Sequence, residues 1–269
     1  MTTAVVQRSL LAVSPEFSGE SALAGSADLL AAAGSVIDAR RLRTLDTVGA
    51  ATLGLAIERA RVAGDEVVLL PPRSRVIAPA FDAFLLRRAV EAAADAVPSV
   101  IVPATPIGDR GELRALTALV GEALAPRAGG FGHVAQITVA TLVDNALRHG
   151  GGPEAPVLAV ALSDGTLEIC VRDLGAQIAA CTEVRRELVR RIQLPAQTHQ
   201  ASPGSPVGIA WLAELIERRR LEGTLSFAAG EGRLSFRGGS WRCHLAGPAL
   251  GFTATARLRL PEAGDSSQA

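Results

Sequence analysis

Lysine and tyrosine are absent from this 269-residue sequence, so all 27 residues counted as lysine plus arginine are arginine. A phosphate loop of the G-x-x-x-x-G-K-[ST] kind needs its lysine, as does a protein kinase of the eukaryotic type. Schiff-base catalysis, pyridoxal phosphate included, needs one too. These chemistries are excluded in their usual form. Cysteine is scarce: Cys170, Cys181 and Cys243 are odd in number and form no C-x-x-C, which speaks for reduced thiols and against a disulfide framework or a zinc site. His133, His199 and His244 are isolated and share no ligand spacing with them. Net charge is also lacking, 27 basic against 27 acidic residues, so nothing electrostatic selects nucleic acid or an anionic membrane as partner. The N-terminus has no basic segment leading into an apolar run, and every later apolar run is broken by charge or glycine before it could span a bilayer. A cytoplasmic location is the expectation.

What is present is 48% hydrophobic and 20% charged residues over a length that suits two domains. In the first part, Ser35–Ala39 reads as a strand, Val48–Ala63 as a helix closed by Gly64, and Glu66–Leu70 as a buried strand ended by Pro71-Pro72. A further helix is expected over Pro79–Ala96. Val97–Asp109 carries three prolines and little periodicity, and the domain boundary is placed there. Helices are expected over Gly111–Leu124 and Val134–Arg148, then a hairpin of Val157–Leu162 and Thr166–Arg172 turned by Ser163-Asp164-Gly165. Next come a charged helix over Cys181–Ile192, a loop over Leu194–Val207 and a helix over Gly208–Arg220. Gly223–Leu260 reads as short antiparallel strands between glycine-rich turns, and residues 262–269 as a disordered tail. The second half is thus an α+β sandwich, with helices on one face of a mainly antiparallel sheet.

Four segments of that half carry candidate chemistry. On the helix Thr141-Leu142-Val143-Asp144-Asn145-Ala146-Leu147-Arg148-His149-Gly150, residues Thr141, Asn145, Arg148 and His149 share one face. An asparagine oxygen suits completion of a Mg²⁺ shell otherwise made of phosphate oxygens and water, and an arginine one turn on can fork onto phosphate. Val171-Arg172-Asp173-Leu174-Gly175 follows a strand, Gly204-Ser205-Pro206-Val207-Gly208-Ile209 opens a helix whose amides could take phosphate, and Gly251-Phe252-Thr253 precedes the last strand.

In content and order these segments resemble the N, G1 and G2 boxes and the Gly-Thr pair of the GHKL superfamily, the histidine-kinase-like ATPases, in the form found in anti-sigma-factor kinases. The resemblance covers nearly all of Leu113–Pro261 and implies a Bergerat-type ATP-binding fold. It implies Asn145 as the Mg²⁺ ligand and Arg148 and His149 beside the nucleotide. It makes Asp173 the partner of the adenine amino group, with Gly175 allowing close approach, Gly204 and Gly208 at the phosphates, and Thr253 in support of the aspartate. Three positions depart from the family pattern: Gln177 replaces a glycine, Pro206 removes an amide donor, and Thr141 stands where the family has its general-base glutamate. A hydroxyl cannot collect a proton at neutral pH as a carboxylate does, and Asp144 lies about 100° round the helix from Asn145. Slow or absent ATP hydrolysis is therefore expected.

The stretch Val36–Gly49, with Asp46-Thr47-x-Gly49 before a helix, resembles a STAS domain, the anti-sigma-factor-antagonist fold; Asp46 caps the helix and Thr47 occupies the position of the phosphorylated serine. The expected plan is a smaller α/β STAS-like domain at 1–105, a GHKL ATPase-like domain at 106–261, and a tail at 262–269. The functional expectation is a cytoplasmic regulator that binds ATP and Mg²⁺ with little or no hydrolysis and acts by partner switching with another regulatory protein. A homodimer is left open. An active Ser/Thr kinase of the anti-sigma-factor type and a nucleotide-free scaffold are the alternatives.

Overall fold

The computed structural model describes residues 10–31, 36–86, 99–128, 131–149, 153–175, 208–219 and 221–261. The first part contains a three-stranded parallel sheet in the order β1 (Leu10–Ala12), β3 (Val36–Asp38), β5 (Val68–Leu70), and a short parallel pair, β2 (Glu16–Phe17) with β4 (Thr44–Leu45). Helices α1 (Gly19–Ala24) and α2 (Ser26–Ala31) precede β3, and α3 (Thr47–Ala63) follows β4. Asp46 caps α3 by accepting the Gly49 N–H at 2.9 Å, and Gly64 ends it at φ 77°, a left-handed turn that glycine takes without strain. The strand–helix–strand unit read from the sequence is present. The helix expected over Pro79–Ala96 is described as α4 (Ala78–Phe81) running into a π-helical turn at Asp82–Leu86; its remainder lies outside the described residues.

The second part is built on a five-stranded antiparallel sheet in the order β6 (Ser99–Pro106), β7 (Val157–Ser163), β8 (Thr166–Asp173), β10 (Ser240–Arg259), β9 (Gly223–Arg237). Helices α5 (Arg110–Ala128), α6 (Phe131–His149) and α7 (Ile209–Arg218) pack on it. On α7, Ile209, Leu212, Ala213 and Ile216 recur at helical spacing and are all buried. The turn between β7 and β8 places Asp164 at φ 48° and Gly165 at φ 68°, the two-residue geometry that favours Asp-Gly. The mixture of helices and strands fits an α+β class.

Two expectations change. The proline-bearing stretch 97–109, read as a connection, contains β6, which pairs with β7 through two register shifts; the prolines sit in an outermost strand, where a missing N–H is tolerated. The short runs expected over Gly223–Leu260 are two long strands of 15 and 20 residues. Gly238-Gly239 form the expected turn between them, at φ 55° and 73°, whereas Gly230, Gly232, Gly247 and Gly251 lie at or beside irregularities in the pairing, between Leu245 and Ala249 and between Ala249 and Phe252.

The sheet is covered on both faces. Leu158, Val160, Ile169, Val171, Ala254 and Ala256 face α5, α6 and α7 and form one core. Val157, Ala159, Ala161, Cys170 and Ala228 face the other way and join the core of the first part. Helix α3 lies on that second face, buried without interruption from Thr47 to Ala56. Small residues permit the approach: a methyl added at Gly54 would stand 2.9 Å from Ala104 Cβ and 3.0 Å from Val157 Cγ1. Each large apolar side chain buried in this second core, such as Leu53 or Leu55, contributes on the order of 1.5–3 kcal/mol, so the two parts are joined by a core rather than by a linker.

Candidate functional site

Helix α6 turns its apolar stripe, including Val134, Ile137, Leu142 and Ala146, onto the sheet. Thr141 is 2% exposed within this packed layer, and Asn145 is half-buried, its Nδ2 sealed from solvent with no hydrogen-bond partner among the described residues. A sealed amide without a partner costs about 1–3 kcal/mol. His149 is half-buried at the end of α6. Arg148 does not stand ready for phosphate. Its Nε meets Asp144 Oδ2 at 2.6 Å, and Arg110, from the first turn of α5, reaches Asp144 Oδ1 at 3.3 Å. Asp144 is 5% exposed and one helical turn away, so the i, i+4 ion pair captures the arginine.

Asp173 ends β8 and is 2% exposed. Alternation along β8 sends it to the side of Leu167, Ile169 and Val171, the side of α6. Its Oδ1 accepts the Gly175 N–H at 2.6 Å, an Asx turn that fixes the carboxylate where the strand stops. Gly251 holds the neighbouring strand close: at φ 77° it lies where a methyl would collide with the Asp173 carbonyl. Gly208 is the N-cap of α7, in extended conformation and with no capping side chain. Asn145, Asp173, Gly175 and Gly208 thus fall on elements that pack together on one side of the sheet. Gly204, with Gln177 and Pro206, lies outside the described residues.

Thr253 departs from its expected place. Phe252 is the cross-strand partner of Asp173, and Thr253 is opposite Arg172, on the face turned toward α3. With a period of two along the strand, the single step from Phe252, opposite Asp173, to Thr253 turns the hydroxyl to the other face, away from the aspartate. Its Oγ1 makes no hydrogen bond among the described residues, so it does not support Asp173. Thr47 is 3% exposed at the start of α3 and donates to Glu168, with Asp46 adjacent; in this arrangement its hydroxyl is covered.

Arg172 was quoted in the sequence motif without a role. It is fully buried; Nη1 donates to Thr52 Oγ1 on α3, Nη2 donates to the Leu250 carbonyl at 3.0 Å, and burial pulls the guanidinium down to about 10. The group remains a cation at neutral pH, held between the two halves of the molecule. Glu168 on the same face is pushed up, first by burial, with the facing Arg257 at 3.0 Å opposing. The signal for this second interface was in the sequence: Val157–Leu162 is unbroken apolar, the pattern of a strand buried on both faces. Cys170 is buried there, and burial pushes its thiol up; Cys243 is exposed. Among the described residues no group of three or more His, Cys, Asp or Glu side chains could hold a metal ion, and no helix is long and apolar enough to cross a membrane.

No protein-family model matches the chain, and no curated protein matches it.

Proposed function

We propose that the second half is a nucleotide-binding module of the histidine-kinase-like kind that holds ATP without efficient turnover, and that the first half, STAS-like in plan, reads its state. The reading rests first on the motif order in the sequence. The antiparallel sheet with helices on one side, and the placement of Asn145 and Asp173 on that side, support it. The residues fit such a ligand in part. The half-buried Asn145 carries an amide oxygen of the chemistry a hard cation takes, and the buried Asp173 a carboxylate that can accept from an amino group. Asn145 would hold Mg²⁺, Asp173 the adenine amino group, and the amides following Gly208 the phosphates. Arg148, committed to Asp144, and Thr253, turned away, do not contribute as the resemblance implies. Bound nucleotide supplies a transferable phosphoryl group; without the glutamate, Thr141 offers no base for that transfer.

One observation carries the regulatory part. Arg172 is bonded to α3, and the next residue, Asp173, belongs to the nucleotide side. A change in how Asp173 is held is therefore passed through one peptide unit to the docked first half, and on to a protein partner. The test measures ATP affinity and turnover separately in the intact protein and in the Asn145→Ala and Asp173→Ala variants. Affinity that both variants abolish, with turnover far below kinase rates, is the expected result. Transfer to a serine or threonine would favour an active kinase, and no affinity in the intact protein would leave a scaffold.

A further inference from the structure

A cavity of about 230 Å³ lies on the sheet face turned toward the first half, away from Asn145 and Asp173. Its floor carries four hydroxyls on two adjacent strands: Thr224 and Ser226 on β9, Thr253 and Thr255 on β10. Thr255 donates to the Ser226 carbonyl at 3.4 Å, a long bond. Thr253 is 2% exposed and its Oγ1 has no hydrogen-bond partner among the described residues. Sealed from solvent, that hydroxyl is out of a guest's reach, and the half-buried Thr224, Ser226 and Thr255 present the hydroxyls the cavity can offer. Thr47 and Val48 from the first turn of α3 and Leu23 of α1 close the sides, giving one polar and one apolar wall.

Charge around the cavity is already neutralised. Arg257 pairs with Glu168 at 3.0 Å and with Asp46 at 3.8 Å, and Arg233 pairs with Glu20 at 3.0 Å. His244 adds an imidazole at the wall. An anion would find every arginine committed, and a cation every carboxylate. Size narrows the choice further. Pockets for drug-sized ligands run to roughly 300–1,000 Å³, so this space is too small for a nucleotide and holds a guest of one ring. Hydroxyls both donate and accept, which suits the vicinal hydroxyls of an uncharged guest.

We propose that this cavity binds a small uncharged polyhydroxy compound, of the class of a monosaccharide or cyclic polyol, with its hydroxyls on Thr224, Ser226 and Thr255 of the floor and its C–H face against Val48 and Leu23. The site does not depend on the nucleotide reading. The experiment titrates the full chain with D-glucose, myo-inositol and, for comparison, inorganic phosphate, followed by saturation-transfer NMR and thermal shift. Saturable binding of at least one polyol, none of phosphate, and weakening by at least about tenfold in both Ser226→Ala and Thr255→Val is the expected result. Thr255→Val keeps the side-chain shape, and urea unfolding of the ligand-free variant separates a loss of binding there from a loss of fold. Asn145→Ala leaves polyol binding unchanged. Absence of saturable binding to both polyols, preference for phosphate, or binding indifferent to both floor variants would overturn the proposal.

Discussion

The guanidinium of Arg172 on β8 donates to the hydroxyl of Thr52 on α3, and that hydroxyl in turn donates to the Val48 carbonyl at 2.7 Å. A fully buried cation from the sheet is thereby met by a helix 120 residues earlier in the chain, though its Nε has no hydrogen-bond partner among the described residues. Removing only the acceptor strands the charge: Thr52→Val is expected to cost about 2–3 kcal/mol. Exchanging both partners for apolar groups, Thr52→Val with Arg172→Met, is expected to recover most of that loss, because an apolar pair no longer has a cation to desolvate. Urea unfolding of the three variants checks this, and a double variant no more stable than Thr52→Val would refute it.

Two carboxylates set opposite trends with pH. Arg40 grips Asp38 through Nε at 2.9 Å, Nη2 at 2.7 Å and its backbone N–H at 3.0 Å, which lowers the carboxyl from 3.8 to about 2. The folded state binds fewer protons there, so this contribution is full above 3.8 and lost as pH falls through about 2. Glu168 is shifted the other way, mainly by burial, so the folded state keeps its proton longer than the unfolded chain. Its contribution is largest below the ordinary value of 4.5 and declines as pH rises through the raised folded value. Melting temperatures across pH should show Glu168→Gln flattening the decline above 4.5 and Asp38→Asn removing the loss below 3.8.

Gly251→Ala is expected to be severe for a residue on a strand. It forces a left-handed conformation on alanine, at about 1–2 kcal/mol, and drives a methyl into the Asp173 carbonyl. The resulting overpacking adds about 1–3 kcal/mol. Denaturant unfolding reads the total, and a loss below 1 kcal/mol would mean the two strands separate there easily.

Thr47 tests how tightly α3 is seated. Thr47→Val removes the hydrogen bond to Glu168 and is expected to cost about 1–2 kcal/mol. Thr47→Glu places a third carboxylate beside Asp46 and Glu168 in a covered position and should cost distinctly more. Equal losses in thermal unfolding would show that the position tolerates charge, as a phosphorylated residue would require.

Local signals were legible in the sequence where they were strong. Gly64 marks the end of α3, Asp164-Gly165 marks the β7–β8 turn, and the periodicity before Arg148 marks α6. The residues read for nucleotide separate by distance along the chain. Asn145 and Asp173 lie on packed elements as their spacing suggested, whereas the side chain of Thr253 depends on a register that the pairing irregularities before Phe252 set. Asp144 shows the same limit: its claim on Arg148 follows from i, i+4 spacing, but the second claim, by Arg110, needs the α5–α6 packing. The seating of α3 was least legible. It depends on which small residues face one another across the structure, as Gly54, Ala104 and Val157 do, and no local pattern announces such a match.

Covering both faces of the five-stranded sheet leaves only its margins for strand addition. At one margin β6 carries Pro103 and Pro106, which have no N–H to offer, and its register to β7 slips twice, so an added strand would find an interrupted ladder. At the other, β9 runs 15 residues without proline and pairs on one side only among the described residues. Both margins are thus broken by register irregularities, and what distinguishes them among the described residues is proline, present in β6 and absent from β9.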